Sequence, residues 1–339
     1  MTSILPKTIE DFARGDELRS AEAEPLLDAL ITETDESLIA QLLTAWHRKG
    51  IEANEIFVLA EIMRKRMARV HSRHERTVDI VGTGGSQAKT FNVSTAASFV
   101  VAGAGVPVAK HGNKAATSNS GSADVLSELG IDPAVDPQTA ERCLNEIGIC
   151  FMFAPNYHRL SATLAKVRRE LGFPTIFNCV GPLCNPASAT HQLIGVWDEK
   201  LVPKMAEALF RLGTGRAWVI HGVNGLDEIA VDGRTMISEV GGGIRTFHLA
   251  PDDFGLEKCP SRDLRTDDPS HSAAMIRNVL LGRPHHPAAE CIVVLNAAAA
   301  LCVAGAASDT KGAAMLALES LRSGNARTKL EELAVATRV

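Results

Sequence analysis

Two glycine-containing loops carry the side chains of this chain that are best suited to chemistry. They are Val81-Gly82-Thr83-Gly84-Gly85-Ser86 and Lys110-His111-Gly112-Asn113-Lys114. Each follows a short apolar run, which predicts a strand that ends at the loop. Glycine lets the backbone approach an anion closely, and lysine supplies a compact positive charge. The two loops together therefore predict a binding site for a phosphorylated ligand.

Hydroxyl and amide side chains extend this pattern along the chain. The first loop leads to Ser86, Thr90, Asn92, Ser94 and Thr95, just before an apolar run over 96–102 that predicts a helix. A helix N-terminus offers unpaired N–H groups and the positive end of a dipole, which suit a phosphate. The second loop continues into a Ser/Gly-rich segment through 124, which alone could equally be a solvated surface loop. Considered together with the first loop, the second loop is better explained by ligand binding than by a solvated surface loop.

The adjacent carboxylates Asp227 and Glu228 are candidate metal ligands. Hard carboxylate oxygens suit Mg²⁺, which commonly completes its shell with phosphate oxygens and water. Any adjacent pair of acidic residues could instead lie in a solvent-exposed turn. The predicted phosphate site is the only feature that favours metal binding by this pair. The sequence contains no Gly-x-Ser-x-Gly nucleophile elbow, no His-Glu-x-x-His and no Walker or dinucleotide-binding glycine motif. This pattern predicts group transfer through positioning and charge neutralisation.

Composition narrows the function classes further. The 339 residues are 45% hydrophobic and carry a net charge of −5, which does not indicate a nucleic-acid or membrane partner. No signal peptide or bilayer-length apolar run is apparent, so a cytoplasmic location is expected. The seven cysteines include no Cys-x-x-Cys pair. We expect all seven to be small buried apolar residues rather than disulfide or zinc ligands.

The hydrophobic spacing changes along the chain and predicts an α/β fold with a small helical domain. Residues 1–72 show only helical spacing, and a helical segment at 157–172 could return the chain to them, giving a helical domain completed near 157–190. Residues 73–156 and 191–339 alternate strand-like and helical runs. We therefore expect a mainly parallel central sheet flanked by helices. The predicted strands cover 78–81, 106–109, 149–153 and 218–221. A hairpin is expected over 228–240, a further strand-like run over 244–249, and closing helices over 292–306 and 313–322.

These motifs, in their order and combination, closely resemble the anthranilate phosphoribosyltransferase family of the nucleoside phosphorylase-like class. The resemblance is carried by segments 78–85, 90–95, 110–113, 120–126, 175–178, 181–187 and 225–228. Four positions depart from the family's usual residues. Ser86 replaces Asp, Lys114 replaces Arg, Arg159 replaces Pro, and Pro174 replaces Arg.

The resemblance implies transfer of the phosphoribosyl group of phosphoribosyl pyrophosphate to the amine of anthranilate, with Mg²⁺ as cofactor and a homodimer formed through the helical domain. It implies that anthranilate contacts Gly82, Asn113, His158 and Arg168, and that Ser94, Asp227 and Glu228 hold the metal. His111 or His158 could accept a proton, although an orienting role is equally open for each. The donor-binding residues that it implies are Gly82, Gly85, Ser86, Thr90, Asn92, Val93, Ser94, Thr95, Lys110, His111, Gly112, Asn113, Lys114, Ala115, Ala116, Thr117, Ser118 and Ser122.

Three alternatives remain open at this stage. A pyrimidine nucleoside phosphorylase would share the fold, but its characteristic Lys-His-Ser-Thr-Gly-Gly loop is absent. A related transferase could use another aromatic acceptor. A nucleic-acid-binding relative is disfavoured because the chain is acidic and retains Asn113, His158 and Arg168.

Overall fold

The computed structural model describes residues 4–86, 88–114, 120–266, 268–283 and 286–338. Its first part is helical. The first four helices are α1 (Ile4–Ala13), α2 (Ser20–Thr32), α3 (Glu36–Lys49) and α4 (Ala53–Arg66). The boundaries of α3 have clear local causes, because the Asp35 carboxylate accepts hydrogen bonds from the Ser37 and Leu38 N–H groups and Gly50 ends the helix at a φ of 94°.

After residue 77, strands and helices alternate. The strands are β1 (Val78–Gly82), β2 (Val108–Gly112), β3 (Ile149–Phe153), β4 (His191–Gly195), β5 (Arg216–Gly222), β6 (Thr235–Val240) and β7 (Ile244–Leu249). The helices between β1 and β5 are α5 (Val93–Gly103), α6 (Ser122–Glu128), α7 (Pro137–Glu146), α8 (Ala154–Tyr157), α9 (Ala162–Leu171), α10 (Ile176–Leu183) and α11 (Leu201–Arg211). The closing helices are α12 (Pro269–Leu280), α13 (Pro287–Val303), α14 (Thr310–Arg322) and α15 (Asn325–Ala336).

The strands form one seven-stranded sheet in the order β3-β2-β1-β4-β5-β6-β7. β3, β2, β1, β4 and β5 pair in parallel, whereas β6 and β7 are antiparallel. The expected α/β fold with a mainly parallel sheet is therefore confirmed. The parallel strands all end at the same edge, which brings the ends of β1 and β2 together.

Two details of the predicted elements are wrong. The hairpin consists of β6 and β7, joined across Gly241, Gly242 and Gly243, and the 228–234 arm that was expected to pair with β6 is not a strand. Strand β4, which no pattern predicted, is buried between β1 and β5. Its five residues include one Gly and two polar side chains, and so short a segment carries too little periodic signal.

The apolar core consists of two clusters of buried residues. The second cluster joins α1 to α4 with Leu164 of α9 and Ile176 of α10, and it continues to Ile194 of β4 and Val219 of β5. The helices that follow residue 157 thus pack with the N-terminal helices, as the predicted return of the chain requires. The predicted domain boundaries stay a prediction, since this cluster also covers one face of the sheet.

The cysteine expectation needs one correction. Cys143, Cys150, Cys179, Cys184 and Cys302 are buried, but Cys259 and Cys291 are only partly buried. Within the described ranges, no helix has both the length and the apolar composition to cross a bilayer.

Candidate active site

A cavity of about 600 Å³ opens at the carboxyl edge of the parallel strands. Most of the predicted site residues line it. They are Gly82, Gly85, Ser86, Thr90, Asn92, Val93, Ser94, Lys110, His111, Gly112, Asn113, Lys114, Ser122, His158, Arg168, Asp227 and Glu228. Thr95 does not line it: its side chain is buried and its hydroxyl donates to Asn92 Oδ1. Predicted positions Ala115, Ala116, Thr117 and Ser118 lie outside the described residues.

The first glycine loop is fixed to neighbouring segments by hydrogen bonds. Gly84 and Gly85 have φ angles of 67° and 82°, a left-handed conformation that residues with a Cβ rarely adopt. Thr83 N donates to Gly195 O over 2.9 Å, which ties the loop to the end of β4. Ser86 Oγ donates to Gly225 O over 2.8 Å. The loop is therefore held against the segment that carries Asp227 and Glu228.

Asp227 lies directly over the ends of β1 and β4, and two glycines make this possible. A Cβ on Gly195 would lie 1.6 Å from the Asp227 carbonyl oxygen, and one on Gly82 would lie 2.9 Å from Asp227 Oδ2. Such contacts are far inside van der Waals distance. Glycine at these two positions lets the carboxylate segment approach the first loop.

The carboxyl groups of Asp227 and Glu228 lie side by side and half-buried in the cavity wall. Burial raises the pKa of Asp227, and burial and the Asp227 charge raise the pKa of Glu228 well above its ordinary value. Thr90 Oγ1 donates to both Glu228 oxygens, at 3.3 and 3.2 Å. Adjacent carboxylates that destabilise each other's charge form a site that a cation would stabilise. The described residues contain no group of three or more His, Cys, Asp or Glu side chains arranged for a metal, so a cation here would need other ligands.

The Lys110 ammonium lies beneath the cavity. Its Nζ donates to Ile80 O over 2.6 Å and to Ser94 Oγ over 3.2 Å. Burial lowers the pKa of Lys110 to about 8, and the negative charge of Asp79 opposes that shift. The lysine therefore supplies positive charge to the cavity below that pH. Since Ser94 Oγ already faces this ammonium, its predicted role as a metal ligand has no further support from the geometry and stays a prediction.

β1 and β2 separate as they approach the cavity. β1 and β4 are in register from Val78↔His191 to Gly82↔Gly195, whereas the register between β1 and β2 is limited to Val78↔Val108. Beyond this pair, side-chain hydrogen bonds connect β1 and β2 in place of backbone hydrogen bonds. Asp79 Oδ1 accepts from His111 N over 3.1 Å, and Asn185 Nδ2 donates to Asp79 Oδ2 and to Ala109 O, each over 2.8 Å. This separation opens the space between the two loops.

His111 and His158 contact each other across the cavity wall. Their Nε2 atoms are 3.2 Å apart, so one ring must donate and the other must accept. Burial lowers the pKa of His111 to about 3 and that of His158 to about 4. Both rings are therefore neutral near pH 7. His158 Nδ1 is buried and has no hydrogen-bond partner among the described residues.

Arg168 places a half-buried guanidinium in the cavity wall. Ser161 caps the start of α9 through its hydroxyl, which accepts from Leu164 N, and Gly172 follows the last helical residue with a φ of 68°. Arg168 Nε is buried without a hydrogen-bond partner, and no carboxylate in the described part of the chain pairs with the guanidinium. Burial alone lowers the pKa of Arg168 to about 10, so the group stays charged at pH 7. Its Cζ lies 5.1 Å from the centre of the Phe177 ring.

Other residues line the cavity without having been predicted, among them Asn178, Asn296 and Lys89. Asn178 Nδ2 donates to Thr83 O over 3.0 Å, and Asn296 Oδ1 accepts from Ile229 N over 3.0 Å, so each fixes a loop that carries predicted residues. Lys89 has a φ of 47°, which is strained for a residue other than glycine. Asn178 belongs to a motif that carried the resemblance, but Asn296 lies in an alanine-rich helix whose pattern indicated only packing.

Comparison with known proteins agrees with this geometry. A family model described as "Glycosyl transferase family, a/b domain" matches residues 74–327. Anthranilate phosphoribosyltransferase of Anaeromyxobacter dehalogenans (strain 2CP-C) is 42% identical over 338 residues, covering 99% of each protein. The enzyme of Xanthobacter autotrophicus (strain ATCC BAA-1158 / Py2) is 44% identical over 323 residues, covering 95% of this chain and 93% of that protein.

The chain belongs to the anthranilate phosphoribosyltransferase family. The crystal structure of anthranilate phosphoribosyltransferase from Thermus thermophilus superposes with a TM-score of 0.88 at 37% identity, covering 98% of this chain and 99% of that one. The Saccharomyces cerevisiae enzyme in complex with PRPP and Mg gives a TM-score of 0.88 at 29% identity, covering 99% and 98%. The predicted family and enzyme class are therefore confirmed, and the alternative functions are not favoured.

Proposed function

We propose that this anthranilate phosphoribosyltransferase family member transfers the phosphoribosyl group of phosphoribosyl pyrophosphate to the amine of anthranilate, giving N-(5-phosphoribosyl)anthranilate and pyrophosphate. The observation that carries the proposal is that one cavity is lined by carboxylates and also by a guanidinium, which carry opposite charges. The half-buried carboxylates Asp227 and Glu228 favour a cation, and the unpaired Arg168 guanidinium, whose Nε is buried, favours an anion. A metal-bound diphosphate and an aromatic carboxylate meet these two requirements.

The first glycine loop and Lys110 would bind the donor. Asn92, Val93 and Ser94 line the cavity where α5 begins, so this helix presents its N-terminus to the ligand. Ser122 Oγ donates to Asn113 O over 3.3 Å, which holds the second loop against the start of α6. Backbone N–H groups, hydroxyls and one ammonium thus surround the space available to phosphate groups.

Mg²⁺ fits the carboxylate end of the cavity. Asp227 and Glu228 would hold it, with Ser94 as the further residue that the family resemblance implies. When bound, the ion neutralises charge on the pyrophosphate as it leaves. Thr90 would keep the Glu228 carboxylate oriented through its hydroxyl.

Arg168 and His158 would orient the acceptor. The guanidinium can pair with the anthranilate carboxylate, a charge-assisted contact that restores the hydrogen bonds the buried group lacks. The amine nitrogen then attacks ribose C1 as the bond from C1 to the pyrophosphate oxygen breaks, and the nitrogen afterwards loses a proton. A neutral histidine pair with low pKa values is a weak base. We therefore assign His111 and His158 mainly to orientation, with proton acceptance from the acidic product ammonium as a second role.

Pairing of two subunits through the helical domain is also part of the proposal. It rests on the family resemblance, since the structure describes a single chain. Gel filtration with light scattering would give the mass in solution, and a monomer would reject it.

The activity is tested by leaving out one component of the reaction at a time. The protein, phosphoribosyl pyrophosphate, Mg²⁺ and anthranilate are mixed, and loss of anthranilate fluorescence is followed. We expect loss only when all four are present. A rate that persists without the donor or the metal contradicts the proposal, and release of a base from a nucleoside by inorganic phosphate would favour the phosphorylase alternative.

A further inference from the structure

Cys259 and Cys291 form a pair of thiols outside the cavity. Their sulfur atoms each lie 3.7 Å from the same backbone oxygen, that of Glu257. Both residues are partly exposed, whereas the other five cysteines are buried. These are therefore the two cysteines that a solute can reach.

The two thiols also interact with each other. Because each sulfur lies at the same distance from one oxygen atom, the sulfurs are at most twice that distance apart. Burial, followed by the charge and hydrogen bonding of Cys259, raises the pKa of the Cys291 thiol to about 12. Both are free thiols in the structure. The contact between the two thiols places them within reach of a bond once the side chains and backbone adjust.

Both cysteines belong to elements that hold the segment directly after Asp227 and Glu228. Cys259 N donates to Val231 O over 2.9 Å. Helix α13, which carries Cys291, also carries Asn296, whose Oδ1 accepts from Ile229 N over 3.0 Å. A bond between the thiols would therefore connect two supports of the carboxylate segment.

The chain that follows Cys259 also contacts the donor side of the cavity. Phe91 N donates to Leu264 O over 2.9 Å, and Thr266 N donates to Lys89 O over 2.8 Å. Thr90 lies between these two contacts, and its hydroxyl reaches Glu228. A displacement of the segment after Cys259 would thus be transmitted to Thr90.

We propose that Cys259 and Cys291 are a redox-sensitive dithiol that hydrogen peroxide converts to a disulfide, and that this bond weakens binding of the phosphorylated donor. The disulfide itself is independent of the proposed function, whereas its effect on the donor rests on it. A disulfide holds its sulfurs about 2 Å apart and has no S–H group, so its formation removes both donors from the Glu257 carbonyl and draws the two elements together. That movement acts on the donor side and leaves α9, which carries Arg168, untouched.

The chemistry balances with peroxide as the oxidant. Cys259 is the better first nucleophile because Cys291 is held protonated. Its thiolate, formed when Cys259 loses a proton to solvent, attacks one peroxide oxygen, and the O–O bond breaks to give a sulfenic acid and hydroxide. The hydroxide takes a proton back from solvent and becomes the first water. The Cys291 sulfur then attacks the Cys259 sulfur as it loses its proton, forming the S–S bond and releasing the second water. Two sulfurs lose one electron each, and the peroxide is reduced to two water molecules.

The disulfide is tested on the purified full chain. After mild peroxide treatment, free thiols are alkylated under denaturing conditions and the protein is digested and analysed by mass spectrometry. We expect one linked peptide pair containing Cys259 and Cys291, lighter by two hydrogen atoms than the reduced peptides and restored by dithiothreitol. Cys259→Ser and Cys291→Ser should each abolish it, and buried Cys143→Ser should not. Sulfinic or sulfonic acids at either cysteine, without the linked pair, would overturn the proposal.

The effect on the donor is tested by calorimetric titration of reduced and oxidised protein with phosphoribosyl pyrophosphate and Mg²⁺. We expect the donor Kd to rise about threefold or more on oxidation, to recover with dithiothreitol, and to be unaffected by peroxide in Cys259→Ser. An unchanged Kd in protein shown to carry the disulfide would overturn the coupling. Failure of the reduced protein to bind the donor would instead contradict the proposed function, and the linked peptide would still decide whether the dithiol is oxidised.

Discussion

Asp79 Oδ1 accepts a hydrogen bond from the backbone N–H of His111 over 3.1 Å, in place of the ladder that β1 and β2 lack at this point. The same carboxyl group is buried, and burial raises its pKa to about 6 even though the Lys110 charge opposes the shift. A carboxylate that is costly to bury thus bridges two separated strands and favours the charged form of Lys110.

Asp79→Asn should impair donor binding in a pH-dependent way. The amide loses the charge that favours protonated Lys110, and its NH₂ group must face either the His111 N–H or the Asn185 amide. The pKa of Lys110, about 8 in the native protein, should fall further. Lys110 would then lose its proton at a lower pH in the variant. We therefore expect the rise of the donor KM with pH to begin at a lower pH in Asp79→Asn than in the native protein. Exposed Asp132→Asn is the matched control, and parallel KM profiles for native and Asp79→Asn protein would contradict this role.

Arg168→Met should separate binding from stability. Losing a charge-assisted contact with the acceptor should cost about 1.5–3 kcal/mol, or roughly 10- to 150-fold in the anthranilate KM, with little change in the donor KM. The thermal midpoint should stay the same or rise, because an unpaired buried charge is replaced by an apolar side chain of similar length. Exposed Arg169→Met is the neighbouring control. Equal effects on both KM values would reject the assignment of Arg168 to the acceptor.

The histidine pair should make the fold sensitive to acid. The folded-state pKa of His158, about 4, lies below its ordinary value of 6.5, so folding favours the neutral ring. This contribution is present above about pH 6.5 and is lost as the pH falls toward the folded-state value. Linkage predicts a loss of about 2 kcal/mol by pH 5 from His158. The free energy of unfolding from urea titrations should therefore fall less steeply between pH 7 and pH 5 in His158→Gln than in native protein. Exposed His248→Gln serves as the control, and identical slopes in all three proteins would refute the prediction.

Gly195→Ala should displace the carboxylate segment. The added Cβ would overlap the Asp227 carbonyl oxygen. This is a backbone atom, so the overlap cannot be relieved by rotating a side chain. A displacement of about 1 Å at a reacting site can cost about 100-fold in rate, so we expect a comparable loss in kcat/KM and a weaker response to Mg²⁺. Gly241→Ala is a suitable control, because its added Cβ would meet nothing within 4 Å. Native kinetics in Gly195→Ala would show that Asp227 does not need this position.

Glu228→Gln should weaken the response to Mg²⁺ and stabilise the protein alone. The amide removes charge repulsion with Asp227, so the thermal midpoint without ligands should rise. The Mg²⁺ concentration for half-maximal rate should increase by about tenfold or more, since one hard anionic ligand is lost. Glu170→Gln, on an exposed side chain, is the control. An unchanged Mg²⁺ response would remove Glu228 from the metal site.

The sequence motifs predicted the loops of the site because glycine, lysine and carboxylates mark local chemistry. The contacts that assemble the site could not be predicted in the same way. Asp79 and Asn185 are 106 residues apart, and Thr90 and Glu228 are 138 apart, so no local pattern indicates that they meet. His111 and His158 are 47 residues apart and meet because β2 pairs with β3 and α8 follows β3 directly. Strand β4 was missed because five residues carry little periodicity, although its final glycine is essential to the approach of Asp227.

The most direct test of the central claim is the stoichiometry of the products. The protein is incubated with phosphoribosyl pyrophosphate, Mg²⁺ and anthranilate, and pyrophosphate and N-(5-phosphoribosyl)anthranilate are quantified together by phosphorus NMR and mass spectrometry. The proposed function predicts that the native protein forms both products in equal amounts. The double variant Asp227→Asn, Glu228→Gln should form both of them more slowly than the native protein. Pyrophosphate released only when another aromatic amine replaces anthranilate would keep the reaction class and contradict the substrate.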